Sequence, residues 1–150
     1  MKTIEETPIY KYAIRLLAPR DYSRHKLKEK LLSREFDFDQ IDLVLDTLEE
    51  KEYLNEERYT KSKIRGYIFR KKGPEYIKQK LKVEKIENIS AYIDDVVREN
   101  EINWQAMVSE VVEKETKNKE LTYQLRNKVF RKLVSRGFSF EIINSVLNSH

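Results

Sequence analysis

Apolar residues recur along nearly the whole chain at steps of three and four, the period of one face of an α-helix. Superimposed on this is a longer period. Leu27, Leu31, Phe36, Phe38, Ile41 and Leu45 are separated by steps of 4, 5, 2, 3 and 4, and Val129, Leu133, Phe138, Phe140, Ile143 and Leu147 repeat the same steps. Ile77, Leu81, Ile86, Ile89, Tyr92 and Val96 match them with one extra residue in the turn, at offsets of 50 to 52 residues. Steps of three and four arise in any amphipathic helix, but the 5-2-3 break across a turn does not, so the chain reads as a helical repeat.

Each unit reads as helix, tight turn, helix. Gly137 suits the left-handed position that ends one helix, and Ser139 the N-cap of the next. Asp39 is the expected N-cap in the first unit, with Phe36 and Phe38 packing the turn, and Ser90 in the second. A further helix precedes each pair, at about 9–18, 56–72 and 102–117. Asn55 caps the second of these, ahead of Glu56 and Glu57, whose charges complement the helix dipole. Gly73-Pro74 ends that helix and places proline at the favoured first position of its successor. The expected fold is all-α, with three tandem three-helix repeats over residues 1–54, 55–101 and 102–150. Units of that size are too small to be stable alone, so they should stack into an elongated curved body.

Composition narrows the chemistry. Glycine and proline number three each in 150 residues, too few for the turns of a sandwich or barrel. Cysteine is absent and histidine occurs twice, at His25 and His150, which leaves almost no material for a thiolate metal site, a cysteine nucleophile or a histidine base. No glycine-rich phosphate loop is present. No cofactor, no metal and no enzymatic activity are expected. No apolar run exceeds three residues, against the roughly 20 needed to cross a bilayer, and residues 1–8 lack the apolar stretch of a signal peptide. A cytoplasmic protein without membrane contact, acting as a monomer, is expected.

The net charge of +4 conceals blocks. Residues 37–57 hold nine acidic side chains and one basic, a net of −8, whereas 61–85 hold ten basic and two acidic, a net of +8. Such runs read as solvated helix faces or as a basic surface for a polyanion or acidic partner. The carboxylate pairs Glu49-Glu50, Glu56-Glu57 and Asp94-Asp95 lie in polar helical stretches and read as solvated, as does His25. Trp104, Met107, Val108 and Val111 read as core. On the helix over 56–72 the stripe Thr60, Ile64, Tyr67 and Ile68 faces inward, Arg58, Arg65 and Arg70 point away, and Tyr59 and Phe69 lie off its centre. Leu27, Leu31 and Leu32 face inward, with Lys26, Lys28 and Lys30 outside. Basic side chains interleaved with aromatics suit a phosphate backbone or an acidic protein groove, and periodicity does not separate the two.

Several segments match a known pattern. Leu16-Leu17-Ala18-Pro19-Arg20-Asp21-Tyr22-Ser23-Arg24, followed by Leu27, resembles the opening segment of the RecX family of recombinase regulators. Glu52-Tyr53-Leu54-Asn55-Glu56-Glu57-Arg58-Tyr59 is similar to the segment joining that family's first and second units. Lys72-Gly73-Pro74, then Ile77 and Leu81, resembles its Gly-Pro turn, and Arg136-Gly137-Phe138-Ser139 its C-terminal motif. The resemblance covers about residues 13 to 147. It departs at Pro19, where a polar residue is common, at Tyr76, where arginine is usual, and in the second-unit turn, which lacks glycine.

The resemblance implies three tandem three-helix repeats and a protein that binds the RecA recombinase filament on single-stranded DNA. Lying in the filament groove, it would limit extension, ATP hydrolysis, strand exchange and the coprotease role in the SOS response to DNA damage. Carried onto this chain, Arg20, Tyr22, Arg24, Arg58 and Tyr59 are the motif candidates for filament or DNA contact. Arg65, Arg70, Lys71 and Lys72 join them on charge alone. Packing roles for Tyr22 and Tyr59 stay open, as does an Asp21 pair with a neighbouring arginine. A stand-alone binder of single-stranded nucleic acid, with weak affinity for DNA, is the alternative, and a passive helical scaffold the third.

Overall fold

The structure, a computed structural model, describes residues 3–150. Among them are nine α-helices and no strand: α1 (Pro8–Leu17), α2 (Arg24–Leu32), α3 (Phe38–Glu50), α4 (Glu56–Phe69), α5 (Pro74–Val83), α6 (Ile89–Glu99), α7 (Trp104–Thr116), α8 (Tyr123–Ser135) and α9 (Phe140–Asn148). The all-α tandem repeat read from the sequence is therefore the fold. Contacts divide the chain into two compact units, one from residues up to Ser62 together with Val83–Glu87, the other from Lys63–Lys82 and Asn88–His150.

In the first unit α1 and α2 pack on α3. Its core is built from Ile9, Ala13, Leu27, Leu31, Ile41, Val44, Leu45 and Leu48, with Tyr10, Tyr22 and Leu54 closing it. In the second, α7 packs on α8 and α9; the predicted positions Ile64, Ile77, Leu81, Val129, Leu133, Ile143 and Leu147 are buried, Ile93, Val112 and Val146 join them, and Phe140 of the predicted series is 62% exposed. Met107, Val108 and Val111 are core as expected, and Trp104 is half-buried with its ring edge-on to Phe138.

Helix starts follow the capping chemistry, with two corrections. Asn55 Oδ1 accepts from Arg58 N–H at 2.9 Å, and Ser139 Oγ accepts from Ile142 N–H at 3.3 Å. The cap of α3 is Asp37, which accepts from Asp39 N–H; Asp39 already lies in the first turn, where its charge meets the helix dipole. The cap position of α6 is Asn88, in the left-handed region at φ 58° and without a side-chain cap bond, so Ser90 is inside the helix. Two apolar assignments also change. Phe38 is 58% exposed under the Lys28 ammonium, and Leu32 is 42% exposed at the last turn of α2.

Helix ends use one device four times. After α3, α4, α6 and α8 the residues Glu52, Lys71, Glu101 and Gly137 take positive φ. The next residue's N–H then reaches back five positions: Tyr53 to Leu48, Lys72 to Tyr67, Ile102 to Val97 and Phe138 to Leu133, at 2.9 to 3.2 Å. This is the Schellman closure, which favours glycine at the left-handed position. Only the last site has it, and the closure at Lys71 explains why α4 stops at Phe69 and not at 72. Exposed Glu101 carries a left-handed cost of roughly 1–2 kcal/mol, partly offset by the chain entropy that glycine would lose. Glu101→Gly is expected to stabilise by about 0.5–1 kcal/mol, raising the melting midpoint by roughly 1–4 °C in calorimetry.

Candidate functional site

The opening and junction motifs meet in the first unit. Arg58 donates from Nε and Nη2 to the two carboxylate oxygens of Asp21, at 2.8 and 2.7 Å, and this fork holds its guanidinium more firmly protonated. Arg24 lies 2.9 Å from both Asp46 and Glu49. Its backbone N–H, at the first turn of α2, donates to Glu56 Oε1 at 3.2 Å. Ser23 caps α2 by accepting from Lys26 N–H at 3.1 Å, and its hydroxyl donates to Glu84 Oε1 at 3.3 Å. The Tyr59 hydroxyl donates to the same oxygen, and the Lys26 ammonium stands 3.6 Å from it. Tyr22 and Tyr59 are 6% and 4% exposed, so neither ring is presented to solvent. Tyr59, expected off the inward stripe, is pulled in by its bond to Glu84.

The side chains of Tyr22, Arg24, Arg58 and Tyr59 are thus engaged inside one unit. Arg20 and Arg58 are the exposed motif candidates; Arg58 is held by Asp21, whereas the Arg20 guanidinium lies 4.6 Å from the Tyr22 ring centre. Sequence reasoning missed Glu84, which is 6% exposed and organises this node. Its only signal was an acid isolated inside a block of net charge +8.

Two carboxyls of opposite sign give a pH test. Burial raises the Glu56 carboxyl above the usual carboxylate range, so Glu56 is half-buried and not solvated as expected. The ammonium of Lys132 holds Glu115 below that range. A lowered folded-state value contributes stability above the unfolded value and loses it as pH falls through the folded one; a raised value does the reverse. Lys132→Met should therefore melt below the parent near neutral pH, with the gap closing in acid. Glu56→Gln should gain most over the parent near neutral pH. Thermal melts across pH 3 to 7 check both signs.

The second unit carries the basic face, formed by the end of α4 and by α5. Tyr67 and Tyr76 meet edge to face at 5.6 Å. The Arg70 guanidinium lies 5.0 Å from the Tyr67 ring centre, and the Lys72 and Lys80 ammoniums 4.6 and 5.3 Å from that of Tyr76. Each cation–π contact at an exposed site is worth only about 0.5–1 kcal/mol, but together they hold cations in defined places beside aromatic rings. Arg65 borders a shallow recess of about 190 Å³ with Ile68, Phe69 and Val96, and Phe69 is 86% exposed. Lys71 is directed elsewhere, its ammonium 2.8 Å from Glu110. Of the four cations chosen on charge, the structure groups Arg70 and Lys72, adds Lys80, and leaves Arg65 and Lys71 outside the tyrosine pair.

The face is held by backbone. Gly73 N–H donates to Arg136 O at 2.7 Å, Glu75 N–H donates to Gly137 O at 3.0 Å, and Arg136 Nη1 donates to the Arg70 and Lys71 carbonyls at 3.1 and 3.4 Å. The Gly-Pro and Arg-Gly-Phe-Ser motifs, some sixty residues apart, are two halves of one junction. Among the described residues no helix is long and apolar enough to cross a membrane.

Comparison with known proteins gives a consistent picture. A family model described as "RecX, first three-helix domain" matches residues 10–48, and one described as "RecX, third three-helix domain" matches 105–147. The chain is 29% identical over 137 residues to a protein of Haemophilus ducreyi named "Regulatory protein RecX", covering 91% of this chain and 89% of that one. It is 28% identical over 137 residues to one of the same name from Vibrio campbellii, covering 91% and 87%. The crystal structure of RecX from Lactobacillus salivarius superposes with a TM-score of 0.79 at 22% identity, over 94% of this chain and 93% of that one.

Proposed function

The chain belongs to the RecX family, and from that premise we propose that it regulates a RecA recombinase by binding the recombinase filament on single-stranded DNA. It acts in the cytoplasm as a non-catalytic partner in DNA repair and recombination. Its presence limits filament extension, ATP hydrolysis, strand exchange and the coprotease activity of the SOS response. The observation that carries this reading is similarity over nine-tenths of the chain to proteins named as RecX regulators. The α4–α5 face supports it, because cations seated on tyrosines suit a phosphate backbone or an acidic protein wall. In this reading the repeats run over 1–54, 55–101 and 102–150, and more than one of them meets the filament.

The test is single-strand-dependent ATP hydrolysis by a RecA recombinase with and without this protein. Hydrolysis should fall in a dose-dependent manner, and an unchanged rate at saturating protein overturns the reading. The tyrosine-seated cations also favour a second reading, a stand-alone binder of single-stranded nucleic acid. A pulldown with recombinase filament, bare single strand and recombinase without nucleotide separates them: capture by bare strand alone selects the second.

A further inference from the structure

The first unit carries a second row of cations that neither the motifs nor the α4–α5 face includes. Lys26, Lys30 and Arg34 are spaced four residues apart along α2 and its closing turn, about 6 Å of helix rise per step; Lys26 also stands 3.6 Å from Glu84, so Lys30 and Arg34 carry the open charge of the row. Lys26 and Lys30 wall a shallow groove of about 350 Å³ whose floor includes Tyr22. The Arg20 guanidinium lies 4.6 Å from the centre of that ring. Arg34 lies 4.9 Å from the Tyr12 ring centre, and Arg15, on α1, lies 6.0 Å from the same centre. The two guanidinium carbons are therefore within about 11 Å of each other on a single aromatic support.

Elsewhere in this unit arginines are neutralised: Arg24 by Asp46 and Glu49, Arg58 by Asp21. Arg15, Arg20 and Arg34 rest on tyrosine rings and find no carboxylate within ion-pair distance among the described residues. Glu29, the one acid on the groove wall, lies 2.8 Å from His25. Ring-seated arginines beside cations at regular helical spacing match a regularly charged, flexible polymer better than the irregular charges of a protein surface.

We propose that this α2 row is a contact for the phosphate backbone of single-stranded nucleic acid, separate from the α4–α5 face. The inference rests on reading the protein as one that works on single strands, and the experiment keeps the two distinguishable. Binding of a labelled oligothymidylate is followed by anisotropy across a salt series for the parent, for the Arg15→Gln/Lys30→Gln/Arg34→Gln variant and for an Arg70→Gln/Lys72→Gln variant. Each phosphate contact contributes about 0.7 to the slope of log affinity on log salt, so the α2 variant should lower that slope by roughly 2 and weaken low-salt binding at least tenfold. Its thermal midpoint should fall by only a few degrees, since all three side chains are exposed and only two cation–π contacts are lost. An α2 variant with the parental slope and affinity overturns the inference, as does displacement of the oligonucleotide by poly-glutamate at equal charge concentration. A parent that fails to bind the oligonucleotide at low salt also overturns it, while inhibition of recombinase ATP hydrolysis in the same preparation leaves the proposed function standing.

Discussion

Gly137→Ala is expected to cost at least about 3 kcal/mol and to lower the melting midpoint by roughly 6–12 °C. Two effects add. Gly137 sits at φ +97°, where an L side chain is strained by roughly 1–2 kcal/mol. A Cβ there would also stand 2.3 Å from the Tyr76 backbone nitrogen and 2.5 Å from its Cβ, contacts that only backbone movement relieves. That movement would pull apart the Glu75 N–H to Gly137 O bond that starts α5. Gly73→Ala should behave similarly at ordinary φ, because its Cβ would meet the Gly137 carbonyl at 2.6 and 2.7 Å. Gly66 supplies the opposite sign. It lies inside α4, and a Cβ added there would meet nothing within 4 Å, so Gly66→Ala should gain about 0.5–1 kcal/mol from helix propensity alone. Equal losses at all three glycines, measured by calorimetry, would show that the two-glycine junction is not what holds these turns together.

The helices were legible because their evidence is local. Apolar spacing, Pro74 at a first helical position and the capping chemistry of Asn55 and Ser139 each act within a few residues. Where two polar residues competed for one cap, as at Asp37 and Asp39, spacing could not choose, because the deciding quantity is the φ/ψ at which the turn closes. The site was less legible because its determinants are distant in sequence. Nothing near Glu84 says that the hydroxyls of Ser23 and Tyr59 will converge on it. Lys71 and Lys72 are adjacent in sequence and equal in charge, yet one reaches Glu110 and the other Tyr76, because the left-handed turn at Lys71 sends their side chains apart. Motif resemblance singled out Arg24 and Arg58 as candidates for contact with a partner. Resemblance alone does not tell a residue that builds a turn from one that meets a partner, whereas the ion pairs to Asp21, Asp46 and Glu49 show what these two do within the chain.

Replacing Arg70, Lys72 and Lys80 by glutamate should raise the dose of protein needed to inhibit recombinase ATP hydrolysis at least tenfold, equivalent to about 1.4 kcal/mol of binding. The change takes a block of net charge +8 down by six, and like charge against a polyanion or acidic wall both weakens the complex and slows encounter. Lys71 is left intact because reversing it would oppose Glu110 and confound docking with folding. Stability should fall only modestly, by the loss of three exposed cation–π contacts at about 0.5–1 kcal/mol each. Ile64→Ala is the counterpart: it empties a fully buried position on the same helix, at about 2–5 kcal/mol, without touching the face. At a temperature where both variants remain folded, the destabilised Ile64→Ala protein should inhibit at nearly the parental dose while a charge-reversed one of equal or higher melting midpoint does not. That inversion of stability and activity is what a docking face requires. A folded charge-reversed protein that inhibits at the parental dose would remove the α4–α5 face from the mechanism and move the contact to Arg20 and the α2 row.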